Sequence, residues 1–250
     1  MARLIILGSG AALPDALHDN TYMVVEGAES SILIDCAGSP LHKLQKVGVN
    51  LDTLNALIVT HHHPDHIYGV PVLLLGLWLY GRQKPFHIYG PRRSIAAITS
   101  IMDALEWRDW PCTMPVTFHE VEMREGYRVI ETPDFEITTA PVKHHVPTIA
   151  VKVRSTHTGR TIVYSSDTEP CDALARLAQG ADILIHESTG DYAGHSTPAQ
   201  AGAMARRCGV GKLVLVHFRA RDGELDDLQR AAESDFNPVE LAEDFAAYPL

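Results

Sequence analysis

Short apolar runs recur along the chain between turn residues, and they fall into two groups. The first comprises Leu4 to Leu7, Tyr22 to Val25, Ser31 to Asp35 and Ala56 to Thr60, with Glu26-Gly27 marking one intervening turn. The second comprises Phe135 to Ala140, Ile149 to Val153, Thr161 to Ser165, Ile183 to His186 and Leu213 to Val216. Runs this short, bounded by turn signals, predict strands, so two sheets are expected. Helical spacing between and after them predicts helices at Asp65 to Tyr80, Ser94 to Leu105, Cys171 to Ala178, Pro198 to Cys208 and Pro238 to Ala246. Thr197 before Pro198 reads as an N-cap followed by a first-turn proline, and Gly180 and Gly209 stand where helices should end. The longest apolar stretch, Val70 to Tyr80, is about half of the ~20 residues a membrane span requires and predicts a buried helix.

With 250 residues and no Pro/Ser-rich linker, residues 1–250 are expected to form one domain. The 46% apolar and 21% charged content is that of an ordinary folded protein. The apolar run in Met1 to Gly10 is too short for a signal peptide and breaks at glycine, which predicts a cytoplasmic protein with no membrane association. Cys36, Cys112, Cys171 and Cys208 form no C-x-x-C pair, which argues against a thiolate zinc site and against a disulfide framework. With 31 acidic and 21 basic residues the net charge is −10, so the molecule as a whole repels polyanions.

The densest chemistry lies in His61-His62-His63-Pro64-Asp65-His66, directly after an apolar stretch. Imidazole nitrogen and carboxylate oxygen are suited to Zn²⁺, and so many in six positions can serve two ions. In the extended chain leaving a strand, His61 and His63 fall on one side and His62 on the other. Pro64 then fits a tight turn into a helix, which aims Asp65 and His66 back at the same point. The cluster sits between a strand-like and a helix-like run, unlike a terminal tag. Further polar residues end apolar runs at Lys143-His144-His145, Ser165-Ser166-Asp167-Thr168 and Val216-His217-Phe218, where a strand holds them rigidly beside an open loop.

The ordered set His61-x-His63-x-Asp65-His66, His144, Asp167 and His217 resembles the metallo-β-lactamase superfamily. Local motifs bring it closer to the ribonuclease Z-like branch. These are Leu7-Gly8-Ser9-Gly10, Leu33-Ile34-Asp35-Cys36, Ala140-Pro141-Val142-Lys143-His144, Ser166-Asp167-Thr168, His186-Glu187-Ser188-Thr189 and Gly194-His195-Ser196-Thr197. The resemblance implies an α/β (α+β) fold, a four-layer αββα sandwich of two mixed sheets flanked by helices, with metals at one edge. It implies a first Zn²⁺ on His61, His63 and His144, a second on Asp65, His66 and His217, and Asp167 bridging them, with Mn²⁺ or Fe²⁺ as alternatives. His144 is preferred to His145 because the family ligand stands three residues after the proline, here Pro141. Asp65, Glu187 and His195 are the implied catalytic residues, His195 donating a proton to the leaving group while Glu187 orients it.

Two divalent ions can generate a nucleophile from water at neutral pH, and against two carboxylates and one hydroxide they leave about +1, a local attraction for an anionic ester. Enzymes of this branch that mature transfer RNA usually carry a long arm between the third-motif histidine and the bridging aspartate. Here residues 145–166 are consumed by two predicted strands and the turn Thr156 to Arg160, so no arm fits. Arg82, Lys84, Arg92, Arg93, Arg219 and Arg221 are a scattering of charge, not a stripe for phosphates. The expected activity is therefore a dinuclear zinc phosphodiesterase for a small anionic diester, with transfer RNA an unlikely partner. Alternatives are transfer RNA 3′ processing, aryl sulfatase or lactonase activity on the same fold, or a nonenzymatic nucleic-acid-binding relative. The resemblance also implies a homodimer, for which Val70 to Tyr80 is a candidate surface. Trp78, Trp107, Trp110, Phe86 and Tyr89 are candidates to line a pocket.

Overall fold

The computed structural model describes residues 2–111, 114–219 and 225–250; Cys112 and Arg221 lie outside them. The first half supplies β1 (Arg3–Gly8), β2 (Tyr22–Glu26), β3 (Ser31–Ile34), α1 (Pro40–Lys46), β4 (Leu54–Ile58), α2 (Pro64–Ile67), α3 (Val70–Leu79), β5 (Phe86–Pro91), α4 (Arg92–Ala104) and β6 (Val116–Val121). The second supplies β7 (Tyr127–Glu131), β8 (Phe135–Val142), β9 (Thr148–Ser155), β10 (Thr161–Tyr164), α5 (Asp172–Ala178), β11 (Ile183–Glu187), α6 (Pro198–Cys208), β12 (Lys212–Val216), α7 (Leu225–Glu233), β13 (Val239–Leu241) and β14 (Ala247–Pro249).

Two seven-stranded mixed sheets result, in the orders β14-β1-β2-β3-β4-β5-β6 and β13-β12-β11-β10-β9-β8-β7. Period-two alternation sorts their side chains. Leu4, Ile6, Met23, Ile34 and Ile58 face Phe135, Ile137, Val151, Ile185 and Val214 of the other sheet. The intervening Ile5, Leu7, Val24 and Leu57 turn outward beneath Leu44, Leu73, Leu77 and Ile98 of α1, α3 and α4. On the opposite side Val163, Leu184 and Leu213 pack beneath Leu174, Ala201 and Met204 of α5 and α6. This is the expected four-layer αββα sandwich. Its parallel strands β3–β4–β5 and β10–β11–β12 end on the same edge, where the candidate ligands gather.

Three sequence expectations are corrected. The helix expected from Asp65 to Tyr80 is two helices, because Gly69 passes so close to the end of β3 that a Cβ would lie 2.9 Å from the Cys36 carbonyl oxygen, and Pro71 follows. The helix expected from Pro238 to Ala246 is instead β13 and the approach to β14, which adds to β1 and carries a C-terminal strand into the first sheet. Burial of Tyr248 and Leu250 between the sheets outweighs the local helical spacing. Val70 to Tyr80 is only half-buried: Leu73, Leu74 and Leu77 face the core while Val72, Leu79 and Tyr80 are exposed.

Candidate metal centre

Each candidate ligand leaves the end of a rigid element. Val59 and Thr60 extend β4 before the His61 run, and α2 starts at Pro64 in the first helical turn, where its fixed φ suits the helix. His144 follows β8, Asp167 follows β10 and His217 follows β12. Their side chains form two adjoining groups. In the first, His63 Nδ1 lies 3.1 Å from His61 Nε2 and 3.2 Å from His144 Nε2, and Asp167 Oδ2 stands 3.8 and 3.9 Å from those two Nε2 atoms. In the second, His66 Nε2 is 3.6 Å from both Asp65 Oδ2 and Asp167 Oδ1, and His217 Nε2 is 3.4 and 3.6 Å from the same oxygens. Asp167 thus offers one oxygen to each group.

These spacings fit a metal. Ligand atoms about 2.0–2.1 Å from one ion at tetrahedral angles lie about 3.4 Å apart. Buried polar atoms normally have hydrogen-bond partners, yet Asp167 Oδ1 and His66 Nε2 are both buried with none. The outer ring nitrogens are held instead. His66 Nδ1 donates to Asp35 Oδ2 at 2.8 Å and His144 Nδ1 to the Gly194 carbonyl at 2.7 Å, while His217 Nδ1 lies 2.8 Å from Thr189 Oγ1. Each bond fixes the ring and leaves Nε2 directed inward. Gly194 has φ +77°, and a Cβ there would lie 2.9 Å from the rings of His144 and His145, so this close approach requires glycine.

Charges in the site oppose one another. Burial pushes His61, His63 and His144 below the ordinary imidazole range, favouring the neutral, metal-binding form. Burial acts in the same sense on His66 and His217, but the carboxylates of Asp167 and, for His66, Asp35 outweigh it and raise both. Burial alone would raise Asp167, yet His217, His66 and His61 hold it well below the carboxylate range. Three nearby residues take left-handed backbone conformations without being glycine: Asp35 at φ +59°, Ser166 at +52° and His217 at +52°. Such strain costs on the order of 1–3 kcal/mol each and gathers at functional sites.

Beside the metal-type groups, the fully buried Glu187 accepts from the backbone N–H groups of Thr168, Ser196 and Thr189 at 3.1, 2.9 and 2.8 Å. Its Oε1 lies 3.1 Å from His195 Nδ1, and the His195 ring stacks on that of His217 with centroids 5.9 Å apart.

Every residue singled out for the site converges here: His61, His63, Asp65, His66, His144, Asp167, Glu187, His195 and His217. His62 stays outside the ligand groups, and exposed His145 stands beside the ring of His144. Of the scattered basic residues, Arg82 is buried and donates to the carbonyls of Leu51, Lys84 and Pro85. Phe86, Trp107 and Trp110 pack in the helix-covered core of the first sheet, Trp78 stacks on Trp110, and Tyr89 borders the core between the sheets. Sequence reasoning gave no role to Asp35 and Thr189, which hold His66 and His217. The signal for Asp35 was available: a carboxylate directly after the apolar run Ile32-Leu33-Ile34.

Comparison with known proteins agrees with this geometry. Residues 30–218 match the β-lactamase superfamily domain. A ribonuclease Z of Methanothermobacter thermautotrophicus is 26% identical over 298 aligned positions, covering 98% of this chain and 95% of its own. A ribonuclease BN of Escherichia coli is 27% identical over 310 positions, covering 99% of each chain. Among solved structures, the short form of human tRNase Z has a TM-score of 0.81 at 26% identity, with 98% of each chain covered. The metallo-β-lactamase fold protein YhfI from Bacillus subtilis has a TM-score of 0.80 at 24% identity, covering 99% of this chain and 98% of its own.

Proposed function

Because the chain belongs to the metallo-β-lactamase superfamily, in its ribonuclease Z-like branch, we propose that this metal-dependent hydrolase is a dinuclear zinc phosphodiesterase acting on small phosphodiesters. In this reading residues 1–250 act as one catalytic domain. His61, His63 and His144 would hold one ion, Asp65, His66 and His217 the other, and Asp167 would serve both. Bound divalent ions would supply Lewis acidity and lower the pKa of a water molecule towards about 7. The protein's own part is to exclude solvent from Asp167, fix the imidazole tautomers and deliver a proton. Glu187, oriented by three backbone N–H groups, holds His195 through Nδ1 and leaves Nε2, at the other end of the ring, to protonate a departing alkoxide.

One observation carries the choice of a small substrate. Between His144 and Asp167 the chain forms only β9, a tight turn and β10, paired residue by residue from Thr161–Arg154 to Tyr164–Val151. No arm emerges there to grip a folded RNA, and a net charge of −10 makes its phosphate contacts harder to replace. The alignments with the ribonuclease Z and ribonuclease BN relatives run over 298 and 310 positions against 250 residues here, so those proteins carry segments without a counterpart in this chain. The names of these relatives favour a second reading, removal of transfer RNA 3′ trailers.

The deciding experiment combines metal analysis with turnover of bis(p-nitrophenyl) phosphate, an aryl sulfate, a lactone and precursor transfer RNA at about 150 mM salt, where exposed charges are screened within about 8 Å. Two ions per chain and diester turnover, without trailer removal, are expected. Site-specific trailer removal at substoichiometric enzyme would install the second reading, and diester inertness of the metal-loaded protein would sink the first. A homodimer is part of the proposal, supported by exposed Val72 and Leu79 on α3 and Tyr80 at its C-terminal end. Light scattering should give twice the monomer mass, and a monomer at micromolar concentration would exclude it.

A further inference from the structure

We infer that Asp244, near the C-terminus, is a positioning residue for His217 and so for the ion on that side of the site. The inference rests on the proposed role of His217 as a ligand. Asp244 belongs to the segment expected to be helical, which instead leads into β14 and lies against the end of β1 and the loop that follows it at Ser9 and Gly10. Its Oδ1 accepts from both the backbone N–H and the hydroxyl of Ser9, at 3.0 and 2.9 Å. Its Oδ2 accepts from the Asp19 N–H at 3.2 Å and pairs with Lys43 at 3.1 Å. Asp19 in turn accepts the Gly10 N–H at 2.8 Å through its carbonyl, and Lys43 also donates to the Leu7 carbonyl. The loop is therefore gripped at Leu7, Ser9 and Gly10.

What the loop does with this rigidity is specific. The Ser9 carbonyl accepts the N–H of His217 at 2.7 Å, and the Ala11 N–H donates to the carbonyl of Phe218 at 3.0 Å. His217 sits at φ +52°, a conformation that a non-glycine residue keeps only when its surroundings over-determine it. Ser9 holds its backbone, Thr189 holds its ring through Nδ1, and Nε2 is then aimed between Asp65 and Asp167. Ser9 is fully buried, so without Asp244 its N–H and hydroxyl lose their partner where water cannot replace it. The Ser9 peptide would shift to recover a bond and take the His217 backbone with it. His61, His63 and His144 have no contact with this loop among the bonds of the described residues, so the effect should be confined to one side of the centre.

The test is a Zn²⁺ titration of the metal-free full chain by calorimetry, comparing wild type, Asp244→Ala and Ser9→Ala. Outer partners of metal ligands typically change metal affinity about 10- to 100-fold. Asp244→Ala should bind one equivalent as wild type does and the other 10- to 100-fold more weakly. Ser9→Ala keeps the carbonyl, the N–H bond and the fold but drops the hydroxyl bond, and should weaken the same equivalent by a smaller factor. A purely structural role would lower both equivalents together or the melting temperature alone, and that result overturns the inference. Two wild-type affinities in Asp244→Ala, or in Ser9→Ala should the first variant not fold, overturn it equally. A wild-type protein binding a single ion would overturn the two-ion reading itself, a failure visible before any variant is compared.

Discussion

The Asp35 carboxylate meets His66 Nδ1 at 2.8 Å, with both residues buried. Asp35 also accepts the N–H and hydroxyl of Thr60 at 2.7 and 2.9 Å, so one buried side chain at the end of β3 sets both the path of the chain into the His61 run and the tautomer of His66. Burial raises the Asp35 pKa, and the contacts with His66 and Thr60 act against it.

Asp35→Ala should therefore weaken metal binding on the His66 side by about 10- to 100-fold, as loss of an outer carboxylate typically does. Metal content after dialysis against a graded chelator would report it. Retention equal to wild type would show that His66 needs no outer partner.

Asp167→Ala removes an oxygen from both ligand groups at once, so both ions should be held less tightly. Elemental analysis should find well under two ions per chain. Full double occupancy in this variant would refute the shared-ligand role.

His195→Ala should lower kcat by about 10²- to 10⁴-fold for diesters with alkoxide leaving groups while the metals stay bound. Nitrophenyl diesters should lose much less, because their leaving group needs little protonation. Equal losses on the two kinds of substrate would exclude proton donation by His195.

Away from the site, Asp134 fastens the β7–β8 turn to the β2–β3 turn by accepting from the N–H groups of Ala28, Glu29 and Ser30, at 3.2, 2.8 and 2.8 Å. Burial works against its charge, but these bonds and those from Ser30 Oγ and His157 hold its pKa down at about 2. A depressed carboxylate pKa gives stability that is fully present above the unfolded value near 4 and is lost as pH falls through about 2. Asp134→Asn should accordingly reduce the fall in melting temperature between about pH 4 and pH 2. An unchanged slope would mean that the turn contributes nothing to acid stability.

Much of this was legible in the chain. Short continuous apolar runs located the strands from Leu4 to Val216 that carry the candidate ligands, because burial on both faces of a sheet demands them. The strands β5, β6 and β7 were missed. Gly90-Pro91 interrupts the first, and exposed polar residues such as Thr117, Glu120, Arg128 and Glu131 dilute the apolar signal in the other two, which lie at sheet edges. Thr197 as N-cap with Pro198 in the first turn set the start of α6 correctly, and in the structure Thr197 and Gln200 complete a capping box there.

The amino-acid sequence by itself determined the candidate ligand types and their order, from His61 to His217, and the convergence of side chains within His61–His66, because that geometry is local to one turn. Only the tertiary structure decided which oxygen of Asp167 faces which histidines, that Asp35, Thr189 and Gly194 hold the outer ring nitrogens, and that the C-terminal segment becomes a strand whose Asp244 braces the loop behind His217. Those partners are separated by up to 235 residues, and their hydrogen bonds exist only after the two sheets have closed on a common core. No periodicity or spacing along the chain encodes a bond whose geometry is set by the packing of everything between its ends.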